Sequence, residues 1–313
     1  MQRPPGACLT AVVVDVLRYA AFSADPRGGN PAGVVLGADL SDVAGMQAVA
    51  ARVGYSETAF AARVVPDLLD SPPDPGAVSP VRARHFAIRY FSPLIEVPFC
   101  GHATIATAVA IADRLGPGPL VLHTPAGRVP VDTDRPGHDG TGPITAMLTS
   151  VPPWVRPAPD GLVGAVLTAL GWDAGDLDPA LPARLAYAGA THLVLAAGTR
   201  ARLARLDYAF DELADLMRAA DLTTVQLVWR QDASTFHVRD PFPVGGVVED
   251  PATGAAAAAF GAYLRDLGHA AAPARITLHQ GHDLGRPSLL LVDLVEGDDR
   301  IRVSGQAVPI PPE

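Results

Sequence analysis

Short segments rich in β-branched residues, separated by turn residues, dominate the chain and predict strands. "LTAVVVDVL" (9–17) and "AGVVLG" (32–37) contain several valines, and the Gly, Asn and Pro of "SADPRGGNP" indicate a tight connection between them. Apolar and polar residues alternate in "ETAFAARV" (57–64) and "RARHFAIRYFSP" (82–93), which is the pattern of half-buried strands. Further strand-like segments follow, and the last three are 275–280, 288–295 and 300–304.

Fewer segments show the helical period of about 3.6 residues. In 41–54 the apolar residues share one face, Ser41 or Asp42 can cap the first turn, and Gly54 can end the helix. Two further amphipathic helices are predicted at 159–171 and 207–222. Many strands with few helices, without the regular alternation of a parallel Rossmann-type sheet, indicate an α+β fold.

Two helical segments of another kind are composed almost wholly of small apolar residues. One begins at Gly101 and the other at Gly254, about half a chain later. A helix that is apolar on all sides is enclosed on all sides, as it is when a curved sheet surrounds it. The repeat therefore predicts two similar domains, each a sheet around a central helix. The two helix N-termini then meet at a cleft, where their free N–H groups favour an anion.

Composition and charge narrow the ligand class. Of 313 residues, 49% are hydrophobic and 18% charged, which is typical of a folded globular protein. The net charge is −9 and the basic residues, all arginine, form no run, so nucleic acid and anionic membrane surfaces are not expected partners. We expect a small-molecule ligand. Because no apolar stretch reaches about 18 residues, we expect no membrane span and a cytoplasmic location.

Cysteine and histidine spacing gives little support for a metal or a disulfide framework. The two cysteines, Cys8 and Cys100, form no C-x-x-C motif. His279 and His282, in "HQGH", lack a third ligand in the sequence around them. We therefore expect no metal and no cofactor.

Six sequence blocks, which span nearly the whole chain in order, resemble a known family. They are "GGNPAGVVL" (28–36), "YSETAF" (55–60), "RYFSPLIEVPFCGHATIATA" (89–108), "VVEDPATGAAAAAFGAYL" (247–264), "HQGHDLGRPS" (279–288) and "IRVSGQAV" (301–308). In these blocks the chain resembles the PhzF-like (phenazine-biosynthesis) proteins of the diaminopimelate-epimerase fold. The resemblance implies two pseudo-symmetric domains, each a mostly antiparallel β-barrel around a central helix, with the site between them. We place the first domain at 1–125 and the second at 126–305, with about 306–313 returning to the first. A homodimer is a further expectation from the family.

The resemblance also implies a mechanism and a set of site residues. PhzF-like proteins use a carboxylate on the S-E-T turn as acid and base, and that residue is Glu57 here; His102 and Asp250 complete the catalytic constellation. The function implied is cofactor-independent proton transfer on a small carboxylate-bearing substrate, an isomerase reaction. Burial in a closed cleft would bring the pKa of a carboxyl group near the working pH. The expected substrate-binding residues are Ser56, Gly101, Thr253, Gly254 and Ala255.

Two departures from related patterns leave alternatives open. Epimerases of this fold use two facing cysteines, but "DPATG" in the second half has none opposite Cys100. Cys100 could still form an asymmetric racemase pair with Glu57 or Asp250, or it could simply pack. The usual D-P-x-T-G-S motif ends here in Ala255, so a hydroxyl group that would contact the substrate is missing. A non-catalytic small-molecule-binding protein is the remaining alternative.

Overall fold

The structure is a computed structural model that describes residues 15–64, 83–136 and 142–312. The strands of the first half are β1 Leu17–Ala21, β2 Asn30–Leu36, β3 Glu57–Arg63, β4 Arg84–Phe91, β5 Glu96–Val97, β6 Gly118–Thr124, β7 Gly127–Asp134 and β8 Thr145–Thr149. Those of the second half are β9 Trp154–Pro157, β10 Arg184–Tyr187, β11 Thr191–Ala196, β12 Thr224–Arg230, β13 Thr235–Phe242, β14 Val247–Asp250, β15 Ala274–Gln280, β16 Ser288–Val295 and β17 Asp298–Pro309. The helices are α1 Val43–Val53, α2 Gly101–Leu115, α3 Asp160–Leu170, α4 Arg200–Ala204, α5 Phe210–Ala219 and α6 Gly254–Asp266.

The two halves repeat one pattern of strand pairing. In the first half, β1–β2, β3–β4 and β6–β7 are antiparallel, whereas β2–β3 and β4–β6 are parallel. The second half has the same order: β10–β11, β12–β13 and β15–β16 are antiparallel, and β11–β12 and β13–β15 are parallel. This correspondence confirms the predicted α+β fold with two pseudo-symmetric, mostly antiparallel barrels.

Strand β17 joins the two halves of one continuous sheet. Its first residues pair with β16, and residues further along pair with β8 and then with β1, so that Ala21 lies opposite Ala307. The first barrel closes in this way through β1, β2, β3, β4, β6, β7, β8 and β17. The domain boundaries near residues 125 and 305 stay a prediction.

Each half encloses one helix, as the small apolar segments predict. Every residue of α2 from His102 to Ala112 is buried. In α6 every residue from Ala256 to Leu264 is buried. Small side chains allow this enclosure because a sheet can close tightly only around a thin helix. No helix in the described ranges is long and apolar enough to cross a membrane.

Several predicted boundaries need correction. Of the strand predicted at 9–17, positions 9–14 lie outside the described residues; among positions 15–17 only Leu17 belongs to a strand, which continues to Ala21. Arg18 interrupts the apolar run in the sequence, but the chain stays extended beyond it because β1 pairs with β2 as far as Ala21. The helix predicted at 207–222 begins only at Phe210, and α4, β9 and β14 were not predicted. These elements are only four or five residues long, too short to show a period.

Candidate active site

The N-termini of α2 and α6 meet backbone to backbone. A Cβ atom added at Gly101 would lie 3.7 Å from the Cα atom of Gly254 and 3.9 Å from the backbone nitrogen of Ala255. Glycine at both positions lets the two helix starts approach closely, with no side chain between them. The first N–H groups of both helices, which have no partner within the helix, therefore lie close together.

Glu57, the first residue of β3, lies against this junction. Its Oε2 atom is 3.3 Å from Nε2 of His102, and its side chain is 15% exposed. Burial raises the pKa of Glu57 above its ordinary value, although hydrogen bonds with Ser56 and Cys100 oppose the rise. A carboxyl group with a raised pKa exchanges protons more readily near neutral pH than an exposed one.

His102, the second residue of α2, is buried and neutral in this environment. Burial lowers its pKa, while the charge of Asp250 partly opposes that effect. Its Nδ1 atom lies 3.1 Å from Nδ2 of Asn30, and its Nε2 atom lies 3.3 Å from Oγ of Ser56. Because the Asn30 amide nitrogen is a donor, Nδ1 accepts and the ring proton belongs on Nε2, toward Glu57 and Ser56.

Asp250 ends β14 and approaches the same centre from the second half of the chain. Its carboxylate accepts hydrogen bonds from Asn30 Nδ2 at 2.7 Å and from Thr253 Oγ1 at 2.6 Å. Burial raises its pKa to about 6, against the opposing effects of His102 and of its hydrogen-bond donors. Asp250 does not cap the second helix, because Thr253 occupies the N-cap position of α6.

Asn30 and Gln280 were not predicted from the sequence. Asn30 is 1% exposed, and its Nδ2 atom contacts Asp250, His102 and the carbonyl oxygen of Ala252 at 2.7–3.2 Å. The Gln280 side chain accepts from the Thr253 N–H and donates to the Asp250 carbonyl. Asn30 stands in one of the six blocks, but after two glycines it indicates only a turn.

The expected substrate-binding residues are divided between two environments. Ser56 contacts His102 and Thr253 contacts Asp250, next to the expected catalytic residues. Gly101, Gly254 and Ala255 line a cavity of about 450 Å³ whose wall also includes Arg128, Phe99, Ser150 and Arg302. Within the described chain, the lining of this cavity does not include Glu57, His102 or Asp250. The individual roles of all these residues stay predictions.

Glu57, Cys100 and His102 could in principle hold a metal, because their ligand atoms all lie within 4.8 Å of one another. A metal-bound histidine, however, normally donates its other ring N–H to an acceptor. Here the group facing Nδ1 of His102 is the Asn30 amide nitrogen, itself a donor. Burial and the nearby Glu57 carboxylate also raise the pKa of Cys100 well above its ordinary value, so the thiol keeps its proton. The trio therefore suits proton transfer better than metal binding.

Comparison with known proteins identifies the family. The family model described as phenazine biosynthesis-like protein (PhzC-PhzF) matches residues 19–311. Among curated relatives, the protein named "uncharacterized isomerase YddE" of Salmonella typhimurium is 33% identical, with 92% of this chain and 93% of that protein covered. The trans-2,3-dihydro-3-hydroxyanthranilate isomerase of Pseudomonas chlororaphis is 28% identical, with 92% and 94% covered.

Solved structures of similar proteins share the fold of this chain. A PhzF-family phenazine biosynthesis protein from Bacillus anthracis has a TM-score of 0.79 and 23% identity, with 95% of this chain and 97% of that chain covered, and it shares the fold. A predicted epimerase from Pseudomonas aeruginosa has a TM-score of 0.77 and 27% identity over the same shares. The match along nearly the whole chain, together with relatives named as isomerases, shows that the chain belongs to the phenazine biosynthesis-like family and is an isomerase.

Proposed function

We propose that the chain is a cofactor-independent isomerase that moves a proton on a small carboxylate-bearing substrate bound between its two domains, with Glu57 as the acid and base. The observation that carries the proposal is the buried contact of 3.3 Å between Glu57 Oε2 and His102 Nε2 beside the two helix N-termini. The reaction changes no oxidation state, so a positioned carboxyl group can supply its chemistry.

The environment of Glu57 supports its role as the proton carrier. Desolvation raises its pKa, which strengthens the carboxylate as a base and keeps the carboxylic acid available for the return step. In the proposed cycle the Glu57 carboxylate takes a proton from an acidic C–H of the substrate. The resulting carboxylic acid then delivers a proton to another carbon of the conjugated system, which restores the carboxylate.

His102 and Asp250 orient the substrate in this proposal. The Nε2–H group of neutral His102 can donate a hydrogen bond toward the reacting centre, while its Nδ1 atom is held by Asn30. Asp250 is a hydrogen-bond acceptor from two donors and has capacity for a third, such as a substrate amino or hydroxyl group. The helix N-termini at Gly101 and Gly254 favour a carboxylate through their free N–H groups.

The substrate class agrees with one relative. The Pseudomonas chlororaphis protein is named for trans-2,3-dihydro-3-hydroxyanthranilate, which carries carboxylate, amino and hydroxyl groups. We propose a substrate of the same chemical class. Because Ala255 stands where the usual motif has serine, a hydroxyl group that would contact such a substrate is missing. We therefore do not propose the identical compound.

Deuterium incorporation tests the proposal directly. The protein is incubated in heavy water with trans-2,3-dihydro-3-hydroxyanthranilate and a panel of small amino and hydroxy acids, and the label is followed by mass spectrometry. We expect Glu57→Gln to slow incorporation by at least about 100-fold, because general acid–base catalysis contributes about 10²–10⁴-fold. Glu296→Gln, in an exposed turn, is the matched control and should leave the rate unchanged.

The alternatives give other outcomes. A non-catalytic binding protein would bind a ligand without any deuterium uptake. A racemase pair that includes Cys100 would lose activity on thiol alkylation. The raised pKa of the Cys100 thiol argues against this alternative, because a protonated thiol is a poor nucleophile and a poor base. A Glu57→Gln variant with activity close to that of the unmodified protein would contradict the proposed mechanism.

A further inference from the structure

Three histidines meet on the outside of the second barrel, away from the candidate active site. His237 lies on β13 and His279 lies directly opposite it on the parallel neighbour β15. His282 follows three residues later, in the loop after β15, and is exposed. The sequence shows His279 and His282 close together, but His237 is more than forty positions upstream and joins them only through the pairing of the strands.

The spacing of the three rings suits a shared metal ion. The ring centroids are 5.1 Å apart for His237 and His279, 5.4 Å for His279 and His282, and 5.9 Å for His237 and His282. Imidazole nitrogens bind Zn²⁺ at about 2.0–2.1 Å in tetrahedral geometry, which puts the centroids of two bound rings about 5 Å apart. The centroid spacing is therefore close to that of three rings bound to one ion, but no choice of one nitrogen from each ring brings all three within 4.8 Å of one another.

The hydrogen bonding of His237 also suits a ligand. Its Nε2 atom lies 2.9 Å from the Oε1 atom of Gln231, an acceptor, so the ring proton belongs on Nε2. This leaves the lone pair on Nδ1, an atom that is buried and has no hydrogen-bond partner. An acceptor for the N–H of one ring nitrogen and a free lone pair on the other are the features of a metal-binding histidine. The free lone pair is missing in His102, whose Nδ1 atom faces a donor.

Two of the three rings have lowered pKa values. Burial, together with the charges of Arg200 and the neighbouring histidines, lowers the pKa of His237 to about 4. Burial and His282 lower the pKa of His279 as well. Asp283, the nearby carboxylate, is paired with Arg200 at 2.9 Å.

We propose that His237, His279 and His282 form a zinc site, with the fourth position open to water. Among the described residues, only Glu57, Cys100 and His102 have ligand atoms that already lie within 4.8 Å of one another. Binding at the histidine trio therefore includes rotation of rings about their side-chain bonds, and exposed His282 is the most free to rotate.

Such a site would brace a loop that connects the two halves of the molecule. Arg286, four residues after His282, donates hydrogen bonds at 2.8 Å to the carbonyl oxygens of Gly28 and Gly29, just before Asn30. Gln280, next to His279, holds the Asp250–Thr253 segment. A metal ion on His279 and His282 would thus fix the start of the segment between residues 279 and 286, whose other end is already held by the hydrogen bonds of Arg286.

Zinc titration by calorimetry after treatment with a chelator tests the site. We expect one saturable equivalent of Zn²⁺, a rise in melting temperature on zinc addition, and at least about 100-fold weaker binding in His279→Ala and His282→Ala. Gln231→Ala should weaken binding by about 10–100-fold through the outer shell. Trp229, whose ring centroid is 5.5 Å from that of His237, provides a second readout, because Ni²⁺ or Cu²⁺ at the site should quench its fluorescence.

Two control variants separate this site from other histidines. His123→Ala disrupts the stacked pair of His85 and His123, and Cys100→Ala removes a ligand atom from the active-site trio. Neither change should affect the zinc affinity. The proposal is overturned if no saturable binding occurs, if His279→Ala and His282→Ala bind as tightly as the unmodified protein, or if either control variant abolishes binding.

Discussion

Replacing Asp250 with asparagine should remove a pH-dependent destabilisation from the folded protein. Burial raises the pKa of Asp250 to about 6, above its ordinary value of 3.8. The folded state therefore holds this proton more tightly than the unfolded state, and the associated stability is fully present below about pH 3.8 and lost as the pH rises through about 6. At 1.36 kcal/mol per pKa unit, the difference corresponds to about 3 kcal/mol.

Asparagine is neutral at every pH and fits the existing hydrogen bonds. Its amide oxygen can accept from Asn30, and the hydroxyl of Thr253 can accept from its amide nitrogen. The Asp250→Asn variant should therefore lack this loss of stability. Relative to the unmodified protein, it should gain about 3 kcal/mol between pH 3 and pH 7.

Urea unfolding at several pH values, followed by tryptophan fluorescence and circular dichroism together, measures this difference. Glu57 and Asp240 also have raised pKa values from burial, so both proteins keep some pH dependence and only their difference reports Asp250. Asp207→Asn, at an exposed position, is the matched control and should follow the unmodified protein. A difference that stays constant within about 1 kcal/mol, or that changes in the opposite direction, would refute the argument that burial sets this pKa.

Four further predictions follow from the described contacts. Asn30→Ala removes a hydrogen-bond donor from the Asp250 carboxylate, and such a bond contributes about 1.5–3 kcal/mol. The pKa of Asp250 should therefore rise, and the acidic limb of the pH–rate profile should move to higher pH by about 1–2 units. An unchanged profile would show that Asn30 does not act through Asp250. Gly261→Ala should destabilise the protein by about 1–3 kcal/mol, because the new Cβ would lie 2.7 Å from Val292. Gly164→Ala, whose new Cβ would have nothing within 4 Å, should stabilise it by about 0.5–1 kcal/mol. Urea unfolding in which both variants shift in the same direction would contradict the packing argument. Ala255→Ser restores the usual family hydroxyl and should raise the rate of deuterium exchange on trans-2,3-dihydro-3-hydroxyanthranilate by about 2- to 10-fold; no gain would mean that this hydroxyl does not reach the substrate. Light scattering should give a homodimer mass, about twice the 32.4 kDa of the chain, and a monomer mass would remove that expectation.

The sequence is most informative where one local rule decides the structure. Asp42 accepts a hydrogen bond from the backbone of Gly45 and caps α1, and Gly54 ends it in the left-handed conformation, as predicted. The small residues of α2 and α6 predict enclosure correctly, since a helix that is apolar on all sides must be buried, and segments of 15 and 13 residues are short for a membrane span.

Features that depend on distant pairing were missed. Asn30 carries no sign in the sequence that it meets Asp250, 220 positions away, because that contact exists only when both halves have folded. The same limit applies to the histidine trio, in which His237 joins His279 only through the parallel register of β13 and β15. Glu57 and His102 were found through the family resemblance, and neither composition nor periodicity would have paired them.

The shared strand β17 also has a consequence for synthesis. β1 lies between β2 and β17, and Ala21 opposes Ala307 across a separation of nearly the whole chain. A ribosome adds about 5–20 residues per second, so this edge of β1 waits on the order of 15 to 60 seconds for its partner. Throughout that time the nascent first barrel remains open, with an unpaired strand edge that invites contact with chaperones or with other nascent chains. The exposed edge of the first half is therefore covered only when β17, the last strand, has been synthesised and pairs with β1.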